Sequence, residues 1–166
     1  MYELTPSLED YLEIIFELET KQKRGAKPSE IADRLGVQRA SVTGAMRSLA
    51  EKALVNYQPY SSVTLTPEGF RVAAKVVHRH KVLSEFLHNM LNLPIKAAEA
   101  NACRIEHHID DQAMEQLIRF IQFIQTCPRT GEDWLAAFAR QCSEHGKCEN
   151  CEPCIENCLN NYRKQH

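Results

Sequence analysis

Cys103, Glu106 and His107 stand at i, i+3 and i+4. On a helix that spacing sets a thiol, a carboxylate and an imidazole on one face. Such a mixed donor set suits a borderline transition ion such as Fe2+, Co2+ or Zn2+. Taken alone, the triplet is more simply a buried cysteine beside a surface Glu–His pair. Asp10 and Glu13 are likewise spaced i, i+3, off the apolar stripe of the first helix. Acids in an opening helical turn are also what the helix dipole favours. His78 and His80 fall in a long helical stretch, and each is compatible with an ordinary half-buried histidine. Reading Cys103 and His107 as nucleophile and base finds no oxyanion hole and no partner to orient the imidazole. An enzyme is not expected.

The second concentration of ligand-type residues lies near the C-terminus, where six of the seven cysteines fall between Cys127 and Cys158. Cys148, Cys151, Cys154 and Cys158 follow the spacing of bacterial ferredoxins, with Leu159 where proline usually follows. Cys142 and His145 extend a three-residue repeat, and one tetrahedral Zn2+ needs only four such ligands. In a reducing compartment so dense a cluster reads as metal chemistry before disulfides or idle thiols. A structural zinc is favoured over an iron–sulfur cluster.

The elements that must position these residues are mostly helical. Leu8, Tyr11, Leu12 and Ile15 mark an amphipathic helix over 7–22, with Ser7 as its cap, broken by Gly25 and Pro28. A short helix over 29–35 ends at Gly36, and a third over 39–53 turns Val42, Met46 and Leu49 inward. β-Formers at 54–57 and 63–65 flank Gln58-Pro59-Tyr60-Ser61-Ser62, a hairpin pattern. Thr66-Pro67-Glu68-Gly69 opens a long helix to about Asn92, and helices over 95–108 and 111–125 follow. Helix, short helix, glycine turn, helix and hairpin is the order of a winged helix-turn-helix. In that motif the helix after the turn enters the DNA major groove.

Charge follows the same division. Residues 1–19 carry a net −6, residues 20–81 a net +8 and residues 82–166 a net −4, within an overall −2. A basic middle segment in an acidic chain suggests a nucleic-acid-facing element. Gln38, Arg39, Ser41, Thr43 and Arg47 form the polar face of the third helix, with Lys27 and Tyr60 as flanking backbone contacts. Gly and Pro together make up only 13 residues, which excludes collagen-like and low-complexity chains. There is no signal-like N-terminus and no apolar run of about 20 residues, so no membrane partner is expected and the expected location is cytoplasmic.

Several runs resemble the DtxR/MntR family of metal-dependent transcriptional repressors: Ser7 to Glu13, Ala40 to Gly44, Tyr57 to Tyr60, Leu65 to Gly69, His78 to His80 and Ala102 to His108. The resemblance spans about residues 5–125. It implies a homodimer binding a double-stranded DNA operator, with a winged helix-turn-helix domain over 1–72 and a helical metal-binding and dimerisation domain over 73–126. Residues 127–166 would form an additional Cys-rich tail, in place of any C-terminal SH3-like domain. The regulatory ligands it implies are Asp10, Glu13, His80, Cys103, Glu106 and His107. Asp10 and Glu13 match the manganese-sensing branch, whereas Cys103 stands where the iron-sensing branch has cysteine. A thiolate disfavours Mn2+ relative to softer ions, so the expected cofactor is Fe2+ or Mn2+, with Fe2+ first. Ser84 falls where the family often has an ancillary-site glutamate, and Gln38 replaces the usual Ser-type cap. The tail cysteines Cys142, Cys148, Cys151, Cys154 and Cys158 are the candidates for a second site holding Zn2+ or an iron–sulfur cluster. An alternative expectation is a redox-sensing DNA-binding regulator controlled by that tail.

Overall fold

The structure is a computed structural model that describes residues 4–59 and 61–126. The chain divides into two compact units, Met1–Arg119 and Phe120–His166. Of the second unit only residues 120–126, the end of the last helix, are described. The cysteine-rich tail and Tyr60 lie outside the described residues.

Helix α1 runs Pro6–Gln22, one residue earlier than the sequence pattern predicts. Its cap is Thr5 rather than Ser7, because Pro6 takes the first helical position, where its missing N–H costs nothing. Tyr11, Leu12, Ile15 and Leu18 form its buried stripe. α2 runs Pro28–Leu35 and closes on Gly36, whose φ of 66° places it in the left-handed region. α3, Arg39–Glu51, turns Val42, Met46 and Leu49 into the core, as their i, i+4, i+7 spacing requires. Leu12, Ile15, Ile31, Met46 and Leu49 are wholly or almost wholly buried in one cluster. Burying a side chain of this kind contributes about 1.5–3 kcal/mol.

The hairpin is shorter than expected: β1 is Val55–Asn56 and β2 is Thr64–Leu65, antiparallel with Val55 opposite Leu65. Leu54 is lost to the strand because its N–H donates to the carbonyl of Leu49, completing the end of α3. A third stretch, invisible in the sequence pattern, joins the sheet where Ala26 and Val63 exchange two backbone hydrogen bonds of 2.8 Å. The carboxylate of Glu19, near the end of α1, accepts the Leu65 N–H at 3.1 Å and ties the wing's root to that helix.

α4, Pro67–Glu85, starts on Thr66, whose Oγ1 accepts the Gly69 N–H at 3.0 Å while its hydroxyl donates to the Ala53 carbonyl at 2.8 Å. Gly69 is obligatory, since a Cβ there would fall 1.8 Å from the Leu54 carbonyl oxygen. The predicted continuation to Asn92 is a π-helical turn, Phe86–Met90. α5 is Ile95–Ile105, and its small buried residues Ala98 and Ala102 let it pack closely on α4. The predicted α5 reached His108, whereas Glu106 and His107 sit on the turn after the helix. The Glu106 N–H still donates to the Ala102 carbonyl at 2.9 Å, so the helical spacing to Cys103 survives. α6 spans Asp111–Thr126, with the Asp110 carboxylate accepting the Ala113 N–H at 2.7 Å. Among the described residues no helix is long and apolar enough to cross a membrane.

Candidate metal centre and DNA-facing surface

Among the described residues Glu106 is the one charged side chain that is fully buried, at 0% exposure. Its Oε2 lies 2.7 Å from His80 Nδ1, whereas its Oε1 has no hydrogen-bond partner and lies 3.4 Å from His107 Nε2. His107 Nε2 is also without a hydrogen-bond partner, and Asp10 Oδ1 is 3.0 Å from it. Two buried polar atoms aimed at one another without a shared hydrogen bond are costly unless a third group satisfies both.

Donor atoms converge in two groups. Asp10, Cys103, Glu106 and His107 place one ligand atom each within 4.8 Å of one another, and Glu13, His80 and Glu106 do the same. Glu106 belongs to both. All six residues predicted from the sequence are therefore brought together, with Asp10 and Glu13 supplied by α1, His80 by α4, and the remaining three by the end of α5 and its turn. His78 is exposed and stands apart from them. Sulfur, nitrogen and oxygen donors of this composition, with buried unsatisfied atoms at the centre, fit a divalent transition ion.

The electrostatics agree. Burial, reinforced by the charge of Glu106, pushes the Glu13 carboxyl up to about 7. His80 is raised chiefly by its hydrogen bond to Glu106. Burial works against a charged His107, but the hydrogen bond to Glu9 and the charges of Asp10 and Glu106 outweigh it, so its pKa is raised. Partial burial, with Glu106, Asp10 and Glu13 nearby, raises the Cys103 thiol. An excess of acids thus holds protons that a divalent cation would displace.

Two residues of this region lie within the runs that resemble the family, yet the sequence alone assigns them no role. Glu9 Oε2 lies 2.7 Å from His107 Nδ1, across a separation of 98 residues. The Arg79 guanidinium reaches both the Glu106 carbonyl, at 3.4 Å, and Asp111, at 2.6 Å, holding the ligand-bearing turn between α4 and α6. Only a three-dimensional fold could reveal either, since nothing in their spacing distinguishes them from surface charges.

Elsewhere in the first unit, α3, the start of α2 and the wing line a groove of about 590 Å³ bordered by Lys27, Arg39, Thr43 and Arg47 together with Tyr57 and Pro59. Gln38, Arg39, Ser41 and Arg47 are exposed, and Thr43 is half-buried with its hydroxyl donating to the Arg39 carbonyl. Gln38 makes no side-chain capping bond to α3, which leaves its amide free to face outward. None of Lys27, Arg39 and Arg47 is in a salt bridge among the described residues. Cations outside salt bridges, lining a groove beside a wing, are suited to phosphate and base contacts.

Comparison with known proteins identifies the two domains that carry these candidate sites. Residues 3–63 match the N-terminal DNA binding domain of the iron dependent repressors, and residues 66–135 match their metal binding and dimerisation domain. An uncharacterised HTH-type transcriptional regulator of Methanocaldococcus jannaschii is 35% identical over 119 residues, covering 72% of this chain and 95% of that protein. The HTH-type transcriptional regulator MntR of Geobacillus kaustophilus is 34% identical over 125 residues, covering 73% of this chain and 84% of its own length. Among solved structures, the manganese regulator SloR superposes with a TM-score of 0.63 at 29% identity, covering 75% of this chain and 58% of that one. A manganese-dependent transcriptional repressor in complex with manganese gives 0.62 at 31% identity, covering 70% of this chain and 53% of that one. The chain thus spans little more than half the length of these solved chains. Matched over both domains and more than 30% identical to regulators of this kind, the chain belongs to the iron-dependent repressor family of dimeric, metal-dependent, DNA-binding transcription regulators.

Proposed function

We propose that this chain represses metal-uptake genes in the cytoplasm when Fe2+ or Mn2+ is held by Asp10, Glu13, His80, Cys103, Glu106 and His107. The observation that carries this reading is the buried pair of unsatisfied atoms, Glu106 Oε1 and His107 Nε2, facing acids that α1 contributes. A bound divalent ion would supply positive charge to both groups of donors. Asp10 and Glu13 ride on the helix that packs under α3, whereas His80, Cys103, Glu106 and His107 belong to the helical body. Joining the two groups fixes α3 of each protomer relative to the dimer, and DNA half-sites about one helical turn apart require that spacing. Without such a joint, Asp10, Glu13 and Glu106 repel one another and favour a looser placement of α1. Arg39, Arg47, Ser41 and Thr43 would contact bases and phosphates, and Lys27, Gln38 and Tyr60 the backbone. This reading takes the DNA-binding domain to end near residue 72 and the metal-binding and dimerisation domain near residue 126.

The test is anaerobic DNA binding to the gene's own upstream region and to a genomic fragment pool, with Fe2+, Mn2+, Zn2+ or a chelator. Tight binding only with metal is expected, with the order of ion potency set by the mixed donor set. Glu106→Gln should abolish the metal stimulation while leaving a folded dimer. Retained stimulation in that variant would sink the ligand assignment.

A second reading is favoured by the spacing of Cys148, Cys151, Cys154 and Cys158, with Cys142 nearby. These residues would hold Zn2+, or an iron–sulfur cluster that adds a redox input. Visible absorbance of an anaerobic preparation, and DNA binding that survives chelation of the first site, would move control to the tail.

A further inference from the structure

From the geometry we infer that Glu9 is a positioning residue for the regulatory metal: its carboxylate holds His107 with the hydrogen on Nδ1, so that Nε2 presents a free electron pair to the ion. The inference rests on the ligand assignment above and extends it to a residue outside the ligand set. His107 is 6% exposed at its side chain and Glu9 17%, and the two meet at 2.7 Å. A carboxylate accepts, and Nδ1 is the ring nitrogen that makes a hydrogen bond to one, whereas Nε2, though close to two carboxylates, makes none; the ring hydrogen therefore belongs on Nδ1. The opposite nitrogen, Nε2, is the one that lies 3.0 Å from Asp10 Oδ1 and 3.4 Å from Glu106 Oε1, inside the convergent donor group. Ligating histidines commonly bind their second nitrogen to a carboxylate in this way, which fixes the ring's orientation and raises its basicity.

The surroundings of Glu9 make the pairing selective rather than incidental. Glu9 shares a cavity of about 410 Å³ with Arg71, Lys75 and Arg79. Those cations are taken by other acids: Arg71 by Glu68, and Lys75 and Arg79 by Asp111. Glu9 is thereby left to the imidazole. Since Glu9 adjoins Asp10 on α1, one helical turn delivers both a ligand and the group that orients a ligand from the other domain.

The test uses the full chain as Glu9→Ala and Glu9→Gln. Long-range proton–nitrogen NMR on the metal-free protein with labelled histidine, at alkaline pH where imidazole is neutral, reads the His107 tautomer directly. Wild type should show hydrogen on Nδ1, Glu9→Ala should lose that preference, and Glu9→Gln should keep it, because the amide carbonyl accepts the same N–H. Co2+ titration by visible absorption should weaken roughly 10- to 100-fold in Glu9→Ala, the cost usual for such an outer partner, and only a few-fold in Glu9→Gln. An unchanged tautomer in Glu9→Ala overturns the inference. So does unchanged Co2+ affinity, or a Glu9→Gln variant as weak as Glu9→Ala, since net charge alone would then be acting. Full Co2+ affinity in Glu106→Gln would instead fail the ligand assignment, a result separable from the metal-free spectra.

Discussion

Metal binding by this centre should release protons, and the structure sets the size of the effect. The Glu13 carboxyl, ordinarily at 4.5, sits at about 7 because burial and the charge of Glu106 disfavour its ionised form. A group raised in this way stabilises the metal-free fold fully below about 4.5, and that contribution is lost as pH climbs through 7. Ligation needs the opposite state, an ionised carboxylate, so affinity must rise over the same window. A single proton held at about 7 lowers affinity roughly tenfold between pH 8 and pH 6, each pH unit being worth about 1.36 kcal/mol well below the pKa. Glu13 is only half-buried, and solvent screening trims the effect to about three- to tenfold. His80, raised chiefly through its bond to Glu106, adds to the change in the same direction. Calorimetric Mn2+ titrations from pH 6 to pH 8, in two buffers of different ionisation enthalpy, give affinity and proton release together. Glu13→Gln should flatten much of the slope. Affinity independent of pH, or an unaltered slope in Glu13→Gln, would refute the argument that the site's acids hold protons a metal displaces.

Other outcomes follow from individual contacts. Gly69→Ala forces a Cβ to within 1.8 Å of the Leu54 carbonyl oxygen, so α4 must move off the wing's root. Overpacking of about 1–3 kcal/mol plus strain on the Thr66 hydrogen bonds should lower the urea midpoint markedly, and an unchanged midpoint would mean the joint is pliable. Cys103→Ser exchanges the soft donor for a hard one and should reduce the advantage of Fe2+ or Zn2+ over Mn2+ in DNA-binding assays; an unaltered ion order would remove Cys103 from the ligand set. Arg47→Ala should weaken operator binding and, if the contact is to phosphate, reduce the salt dependence by about one ion. An unchanged salt slope with relaxed sequence preference would instead place Arg47 on a base.

The helix-turn-helix order was legible from local spacing, whereas the six candidate ligands were picked out by resemblance to a family, spacing alone favouring plainer readings. Val42, Met46 and Leu49 announce an inward face, and Cys103, Glu106 and His107 announce a shared one. What was not legible depends on pairing between distant segments. Ala26 has no strand pattern around it and pairs with Val63 only because the turn before α2 passes the wing. Thr5 displaced Ser7 as cap through the fixed geometry of one proline. Glu9 lay within a recognised run of residues, yet its partner is 98 residues away. Arg79 likewise gains its meaning from Asp111 and a carbonyl on the far side of α5. The end of α5 at Ile105 shows a further limit: side-chain spacing persisted into a turn that periodicity alone extends as helix.

The hydrogen bond from the Leu65 N–H to Glu19 gives α1 a second anchorage, further along the helix than Asp10 and Glu13. Seventeen helical residues make a rod of roughly 25 Å, which carries Asp10 and Glu13 in its first half and meets the wing's base through Glu19 in its last turn. The wing's outer stretch, from Tyr57 to Ser62, bears no Lys, Arg, Asp or Glu. One helix joins the acids proposed to hold the ion to the root of the hairpin, so that a tilt of α1 at Asp10 and Glu13 is passed on to the wing as a lever passes on a push.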